Sequence, residues 1–309
     1  MKKIIIISGP TGVGKTNISI QLAKLLDGEI ISADSMQVYR GLNVGSAKIT
    51  IDEMQGIKHH LIDILDPDEN FDVSIFQKLA SEAIDDICSR GKTPIIVGGT
   101  AFYIQALLNG INFNEEIKDL SYRDSLQSLS EDELYDMLSE VDNEYALATH
   151  KNNKKRVIRA LEYYHNTGKK FSDYNLDQSQ KEAVYLYKYF VLNDERDKLY
   201  ERINKRVDIM LEDGLLEEVK YLSSLNLPLN CNSRQGIGYK EMFSYLNGEC
   251  SLVDAVEAIK QNSLRFAKRQ LTWLRHEDDT IFINKNEFDY NDNKMVDFMI
   301  EEFSRLSEE

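Results

Sequence analysis

The sequence has few cysteines and no long apolar segment. Its three cysteines, Cys88, Cys231 and Cys250, are widely spaced and form no C-x-x-C pair, which argues against a disulfide framework and against a zinc site. No run of about 18 apolar residues occurs, and the apolar run Ile4 to Ile7 is too short for a signal sequence. Internal repeats and low-complexity segments are also missing. We therefore expect a soluble, cytoplasmic protein with reduced thiols and no membrane partner.

Positive charge is scarce as well. The 309 residues include 37 Lys and Arg against 52 Asp and Glu, which gives a formal net charge of −15. A chain this acidic is on average repelled by nucleic acid and by membrane phosphate, so an RNA partner would require a local basic surface. Two basic clusters are present, at Lys151 to Arg159 and at Arg265 to Arg275.

A glycine-rich octapeptide follows the first apolar run and precedes a helical pattern. Ile4 to Ile7 does not alternate, as expected for a strand covered on both faces in a parallel sheet. In the octapeptide, glycines let backbone N–H groups close around an anion, the helix N-terminus adds a favourable dipole, and Lys15 supplies positive charge. Thr16 has the position of a hydroxyl ligand to Mg²⁺. A structural glycine-rich turn is the alternative, but the flanking strand and helix favour a polyphosphate site. The predicted site comprises Gly9, Pro10, Thr11, Gly12, Val13, Gly14, Lys15 and Thr16.

Two further strand patterns end in residues that should lie beside this loop. The helix after the loop is predicted to stop at Gly28, and the next strand leads to Asp34. Because ligands of open α/β sheets bind beyond the carboxyl ends of strands, Asp34 should adjoin the loop, although a turn-forming or N-capping aspartate fits equally well. A strand over Thr93 to Val97 ends in Gly98 to Thr100, where a nucleotide-hydrolysing motor usually has an acidic magnesium ligand. The Gly-Gly-Thr sequence is explained either by a close approach of the backbone to a ligand or by a tight strand-to-helix turn, and both can hold.

From about Ile111 polar helices replace the β-α alternation, until a strand pattern at Val184 to Leu192 returns the chain to the sheet. We predict an α/β fold with a P-loop NTPase-like parallel sheet core, residues 1–111 and 191–309, and a mostly helical insertion, residues 112–190. After the insertion, Asp194 is predicted to N-cap a long helix. On that helix Arg202 and Arg206 lie one turn apart, and form either a solvated charged face or a clamp over a pyrophosphate.

The adjacent histidines His59 and His60 have two interpretations. Neighbouring residues point to different sides of any regular element, so a structural role is preferred to a metal site.

Taken in order, these segments resemble the bacterial tRNA dimethylallyltransferases, also called tRNA isopentenyltransferases. The motif Asp-Ser-Met-Gln-Val-Tyr-Arg at residues 34–40 is highly specific, and the resemblance covers nearly the whole chain. Ala101 and Phe102 stand where the family commonly has Gly and Leu, and Ile49 where it commonly has Pro, which affects local loop geometry rather than the chemistry. The matching segments are Gly9 to Thr16, Asp34 to Arg40, His59 to Pro67, Gly98 to Tyr103, Lys155 to Glu162, Gly236 to Glu241 and Ala267 to Arg275.

The resemblance implies transfer of the dimethylallyl group from dimethylallyl diphosphate to N6 of the adenosine 3′-adjacent to the anticodon in tRNA. It implies that the loop holds the diphosphate with Mg²⁺ at Thr16, that Asp34 is the general base, that Arg206 reaches the diphosphate and that Thr100 belongs to the catalytic set. The insertion would grip the anticodon stem-loop, and we expect a monomer. The implied tRNA-binding residues are Asp34, Ser35, Met36, Gln37, Thr100, Arg123, Lys155, Arg156, Val157, Ile158, Arg159, Gln235, Gly236, Ile237, Gly238, Tyr239 and Lys240.

Three other functions are compatible with parts of the sequence. An ATP-binding small-molecule kinase would share the loop but leaves the basic helices unexplained. An adenylate isopentenyltransferase would use free AMP, for which the predicted insertion is unnecessary. A non-catalytic, nucleotide-sensing RNA-binding protein would have no use for Asp34 beside the loop.

Overall fold

A computed structural model describes residues 1–111, 113, 120–179 and 181–306, and the chain divides into two compact units. Unit 1 comprises Met1–Leu107 and Tyr185–Glu309, and unit 2 comprises Leu108–Val184. The sequence analysis places the insertion at 112–190. The difference at its C-terminal end arises because the strand predicted at Val184 to Leu192 belongs to the sheet of unit 1.

The sheet of unit 1 is parallel throughout its described strands. These are β1 (Lys3–Ser8), β2 (Gly28–Ser32), β3 (His59–His60), β4 (Thr93–Val97), β5 (Leu186–Asn193) and β6 (Thr280–Asn284), in the spatial order β3-β2-β4-β1-β5-β6. In the central strand β1, Ile6 pairs with Ile96 of β4 on one side and with Tyr189 of β5 on the other. Ile4 to Ile7 are fully buried, as their unbroken apolar run predicts. Because the strands are parallel, the carboxyl ends of β2, β4, β1 and β5 lie side by side at one edge.

The helices of unit 1 pack their apolar faces on this sheet. Ile18 and Leu22 of the first helix and Met295 and Met299 of the last belong to the same buried cluster as Ile7 of β1. In the described part of the chain the helices are α1 (Lys15–Leu25), α2 (Ile51–Met54), α3 (Val73–Ser89), α4 (Ala101–Leu108), α5 (Leu120–Gln127), α6 (Glu131–Val141), α7 (Asn143–Ala148), α8 (Lys154–Thr167), α9 (Phe171–Ser179), α10 (Arg196–Glu212), α11 (Leu215–Ser224), α12 (Tyr239–Leu246), α13 (Leu252–Leu274) and α14 (Asp292–Arg305). None of the helices described is both long and apolar enough to span a membrane.

The glycine predicted to end α1 has a different role. The C-cap is Leu26, and Gly28 is the first residue of β2. A Cβ atom at Gly28 would lie 2.9 Å from both Ile95 Cδ1 and the carbonyl oxygen of Thr93. Gly28 therefore allows β2 and β4 to pair closely, and the prediction of a helix cap was wrong.

Unit 2 has a helical core of its own. Leu134 and Leu138 of α6 pack with Val157 and Leu161 of α8. Ser130 caps α6 in a reciprocal capping box with Glu133. The two ends of the unit meet, because the N–H of Val184 donates to the carbonyl oxygen of Leu108 at 2.9 Å.

Candidate active site

The loop after β1 has a backbone that only glycine permits at its start. Gly9 has a φ of 141°, and a Cβ atom there would lie 2.4 Å from the carbonyl oxygen of Leu192. Gly14, with a φ of 95°, is the N-cap of α1. The Lys15 ammonium donates to the carbonyl oxygens of Gly9 and Pro10 at 2.9 and 3.0 Å. The loop thus curls around its own lysine, as a phosphate-binding loop does.

Lys15, Asp34 and Arg206 act on one another electrostatically at the carboxyl edge of the sheet. Burial, with a smaller effect of Arg206, lowers the pKa of Lys15 to about 8, while Asp34 opposes the change. Burial also lowers the pKa of Arg206, and Asp34 again opposes it. Two partly desolvated cations therefore share one carboxylate. The surplus of positive charge suits an anion such as a diphosphate.

Asp34 is fixed in the turn that follows β2. Its Oδ1 accepts the backbone N–H groups of Met36 at 2.8 Å and Gln37 at 3.2 Å. Among the described residues, the hydrogen bonds of this carboxylate involve Oδ1 alone. The turn-forming interpretation of Asp34 is therefore confirmed, and it is compatible with the site interpretation because Oδ1 makes both of these contacts.

The turn after β4 lies against the backbone beside Asp34. A Cβ atom at Gly98 would lie 2.2 Å from the carbonyl oxygen of Ala33, and the Thr100 N–H donates to that same oxygen at 3.4 Å. Thr100 in turn accepts the N–H of Tyr103 at 2.9 Å at the start of α4. The tight turn therefore also brings Thr100 next to the Asp34 segment.

Sequence reasoning missed Gln270, a buried glutamine of α13 that is 6% exposed. Its Oε1 accepts the N–H of Thr11 in the phosphate loop at 2.9 Å, and its Nε2 donates to the carbonyl oxygen of Gly99 at 2.8 Å. The available signal was a polar residue on the buried face of the helix, between Ala267 and Leu274. Gln270 therefore connects the loop to the turn that carries Thr100.

A second missed residue, Lys285, contacts the same loop. Its ammonium donates to the carbonyl oxygen of Val13 at 3.0 Å, and burial lowers its pKa. The loop is thus supported at Thr11 and at Val13 by side chains that follow it by more than 250 residues.

Arg202 and Arg206 have different surroundings although they lie one turn apart. Arg202 forms an ion pair with the buried carboxylate of Asp194, which also accepts the N–H of Glu195 at 2.7 Å. The N-cap of α10 is Glu195, so the prediction that Asp194 caps this helix was wrong. Asp194 neutralises Arg202 instead, and Arg206 is the arginine next to Lys15 and Asp34.

The loop 235–240 packs against the turn at Asp34. A Cβ atom at Gly236 would lie 2.8 Å from the Cε of Met36. Tyr239 is fully buried, and its hydroxyl donates to Glu218 at 2.7 Å. Its side chain therefore supports the loop rather than offering a surface to RNA. Gln235 and Lys240 are exposed, so the tRNA contacts predicted for this loop would be made by these two side chains.

Helix α8 of unit 2 separates its basic and apolar residues. Lys155, Arg156 and Arg159 are exposed, whereas Val157 and Ile158 are buried in the core of the unit. The tRNA contacts expected of this helix are accordingly those of its three basic side chains.

Arg123, another residue implied in tRNA binding, lies on α5. It forms an ion pair with Glu162 of α8, with 3.6 Å between Nε and Oε1.

Glu29, His60 and Asp86 lie close together, with potential ligand atoms within 4.8 Å of one another. Arg90 binds both oxygens of Glu29 and lies 2.8 Å from Asp86, while His60 Nε2 lies 2.8 Å from Glu29. These hydrogen bonds, led by that of Arg90, lower the pKa of Glu29 to about 2. A guanidinium already supplies the positive charge here, which favours the structural interpretation of the histidine.

Together these features define a class of protein. The phosphate-binding loop follows a central parallel strand, and two cations and a carboxylate interact electrostatically beside it. This arrangement is typical of P-loop α/β enzymes that act on phosphorylated substrates.

Comparison with known proteins narrows this class. Residues 37–277 match the family model described as IPP transferase, and residues 2–70 match that described as isopentenyl transferase. A tRNA dimethylallyltransferase of Lachnoclostridium phytofermentans is 50% identical over 300 residues, which are 96% of this chain and 95% of that protein. The chain belongs to the tRNA dimethylallyltransferase family, and the resemblance found in its sequence is confirmed. It is accordingly an enzyme that prenylates adenosine in tRNA.

Solved structures confirm the α/β fold. The tRNA isopentenylpyrophosphate transferase of Bacillus halodurans superposes with a TM-score of 0.76 at 43% identity, covering 100% of this chain and 99% of that one. A eukaryotic dimethylallyltransferase acting on tRNA gives a TM-score of 0.81 at 34% identity, covering 92% of this chain and 74% of that one.

Proposed function

We propose that the enzyme takes its prenyl group from dimethylallyl diphosphate and transfers it to N6 of the adenosine 3′-adjacent to the anticodon. The observation that carries this proposal is the proximity of Lys15, Arg206 and Asp34. The two cations and the loop would hold the diphosphate, and the carboxylate would face the purine amine.

The proposed reaction forms one bond and breaks another. The N6 nitrogen attacks C1 of the dimethylallyl group, the C1–O bond breaks, and diphosphate leaves with the electron pair. N6 is a poor nucleophile because its lone pair is delocalised into the ring, and it must lose a proton as the new bond forms. The Asp34 carboxylate accepts that proton, a contribution typically worth about 10²–10⁴ in rate.

The leaving group needs stabilisation of its growing negative charge. Lys15, Arg206 and the backbone N–H groups at the start of α1 supply it without rearrangement, since the fold already fixes them. Mg²⁺ fits Thr16, which is exposed on the first turn of α1, because this ion typically takes one or two protein ligands and completes its shell with water and substrate phosphate. When bound, the ion would neutralise part of the diphosphate charge.

The tRNA contacts are proposed for the basic residues of α8 and for the turn at Asp34. A base in the anticodon loop must leave its stack to reach a buried site, at a cost of about a few kcal/mol that phosphate contacts offset. Gln37 suits recognition of the extruded base, since the hydrogen bonds from its Nε2 to the carbonyl oxygens of Ser46 and Ala47 are long, at 3.4 Å each. All these groups belong to one chain, so we propose a monomer acting on tRNA in the cytoplasm.

The test combines a labelled donor with an Asp34→Asn variant. Labelled dimethylallyl diphosphate is incubated with tRNA, with AMP or with buffer; label should enter tRNA alone, whereas label in AMP would support adenylate isopentenylation. Asparagine keeps the oxygen that accepts the Met36 and Gln37 N–H groups but cannot take the proton. Turnover should fall by about 10²–10⁴ with tRNA affinity unchanged. Asp297→Asn, an exposed change on α14, is the control, and parental turnover in Asp34→Asn would refute the base assignment.

A further inference from the structure

Two exposed aromatic rings meet beside the Gly98 to Thr100 turn. Phe102 of α4 is 41% exposed and Trp273 of α13 is 37% exposed. Their ring centroids lie 6.3 Å apart with an interplanar angle of 68°, an edge-to-face arrangement. Single exposed apolar residues are ordinary, but two large rings that share a surface form a patch suited to a partner.

The position of this pair relates it to the active site. Phe102 follows Thr100 by two residues, and Trp273 lies one helical turn after Gln270, whose amide binds the carbonyl oxygen of Gly99. The indole N–H of Trp273 donates to Glu277, which orients the ring. The pair therefore adjoins the turn that stands beside Asp34.

The helix that carries Trp273 is basic up to Arg275, although the whole chain is acidic and Glu277 to Asp279 follow the helix. Arg265, Lys268, Arg269 and Arg275 are exposed on or at the end of the helix that carries Trp273, in a chain of net charge −15. Aromatic rings among exposed arginines and lysines are the combination that binds unpaired nucleotides, since rings stack on bases and cations contact phosphates.

We propose that Phe102 and Trp273 form an aromatic shelf on which one unpaired base of the tRNA anticodon loop stacks. The shelf would hold a neighbour of the extruded adenosine and so fix the loop over Asp34. This inference rests on the tRNA-prenylating function and adds to it a specificity-determining contact in unit 1.

The sequence supplies its own reporter for this contact. Trp273 is the single tryptophan of the chain, so tryptophan fluorescence reports on the shelf alone. Titration with an anticodon stem-loop RNA should quench that fluorescence as a base stacks on the indole. A set of stem-loops, each with an abasic site at a different unpaired position, identifies the base. The stem-loop that lacks the stacking base should no longer quench the fluorescence and should bind about tenfold more weakly.

Variants separate stacking from charge. Phe102→Leu and Trp273→Leu keep apolar bulk but remove a ring, and each should weaken stem-loop binding about tenfold without changing its salt dependence. Arg269→Gln should instead reduce the salt dependence. Tyr221→Leu removes an aromatic side chain of α11 that is 54% exposed and should bind as the parent does.

The outcomes distinguish failure of the shelf from failure of the function. If the stem-loop is prenylated normally while fluorescence is unchanged, or while Phe102→Leu binds as the parent does, the shelf is refuted and the function stands. A quench that no single abasic site removes also refutes stacking of one base. If no RNA is prenylated by the parent, the function itself fails.

Discussion

At the scale of single residues, the neutral amide of Gln270 makes contacts that no charged side chain could make as well. It accepts from the Thr11 N–H and donates to the Gly99 carbonyl oxygen in a buried position, so both backbone groups are satisfied without a charge beside the proposed diphosphate site. It thereby connects the loop at Thr11 to the turn of Thr100.

Replacing Gln270 should impair the alignment of the proposed diphosphate donor with the adenosine of the tRNA. Gln270→Met keeps the shape but removes the partner of the Thr11 N–H and of the Gly99 carbonyl oxygen, which are both partly buried. The cost is at most about 1–3 kcal/mol for each group, so we expect a KM for dimethylallyl diphosphate raised about tenfold and a lower kcat. Gln270→Glu retains the acceptor for Thr11 but adds a negative charge, and should raise that KM further as pH increases. Steady-state kinetics at saturating stem-loop measure this, with Gln261→Met on the exposed face of α13 as control. A folded methionine variant with parental constants would contradict the positioning role.

Site residues could be predicted from the sequence when their partners are close to them in the chain, and were missed when their partners are far away in the chain. Lys15 and Asp34 belong to short motifs that directly follow strands, so position in sequence gives position at the sheet edge. Gln270 contacts groups 259 and 171 residues away, and its helix passes the loop only in the folded chain. Asp194 shows the same limit. Its position before α10 fits a helix N-cap, but its carboxylate forms an ion pair with Arg202.

At the scale of elements, short apolar runs predicted β1, β2, β4 and β5, because a strand buried on both faces is largely apolar. β3 was missed, since its two residues are too few to show a period. Glu29 of β2 links this short strand to the sheet through His60 and links α3 through Arg90.

Glu29 should make stability depend on acid pH. Its native pKa of about 2 lies below its ordinary value of 4.5, so the ionised carboxylate stabilises the fold fully above pH 4.5 and this contribution, about 3 kcal/mol at most, is lost as pH falls toward 2. Glu29→Gln should therefore be less stable than the parent at pH 7, with the difference shrinking between pH 4.5 and 2.5. Urea unfolding across this range measures it, with the exposed Glu82→Gln of α3 as control. A difference independent of pH would contradict this assignment.

The basic face of α8 should act through phosphates. Each lost phosphate contact reduces the slope of log K against log salt by about 0.7–0.9, so Lys155→Ala with Arg159→Ala should flatten it by about 1.5 while weakening stem-loop binding. Stem-loop binding measured at salt concentrations from about 50 to about 200 mM gives this slope. Lys78→Ala with Lys220→Ala removes two exposed lysines of unit 1 as a matched control. An unchanged slope in the α8 variant would count against phosphate contacts there.

At the scale of the whole molecule, an acidic chain binds an acidic partner by concentrating its cations. The net charge of −15 is compatible with tRNA because α8 and α13 carry exposed arginines and lysines. The sequence revealed both clusters, since neighbouring charges on one helix are local in the chain. Which apolar residues of those helices would be buried required the packing of each unit.

The functions of the two units should be separable by deleting unit 2. Leu108 and Val184 are hydrogen-bonded at 2.9 Å, so a short Gly-Ser linker can replace residues 109–183 without straining unit 1, whose β5 begins after the junction. Because the phosphate loop, Asp34 and Arg206 all belong to unit 1, the shortened protein should unfold cooperatively and bind diphosphate with near-parental affinity. It should fail to bind the stem-loop tightly or to prenylate it, since α8 is gone. Calorimetry with diphosphate and with stem-loop RNA measures both, and stem-loop affinity equal to that of the full chain would show that unit 2 does not grip the tRNA.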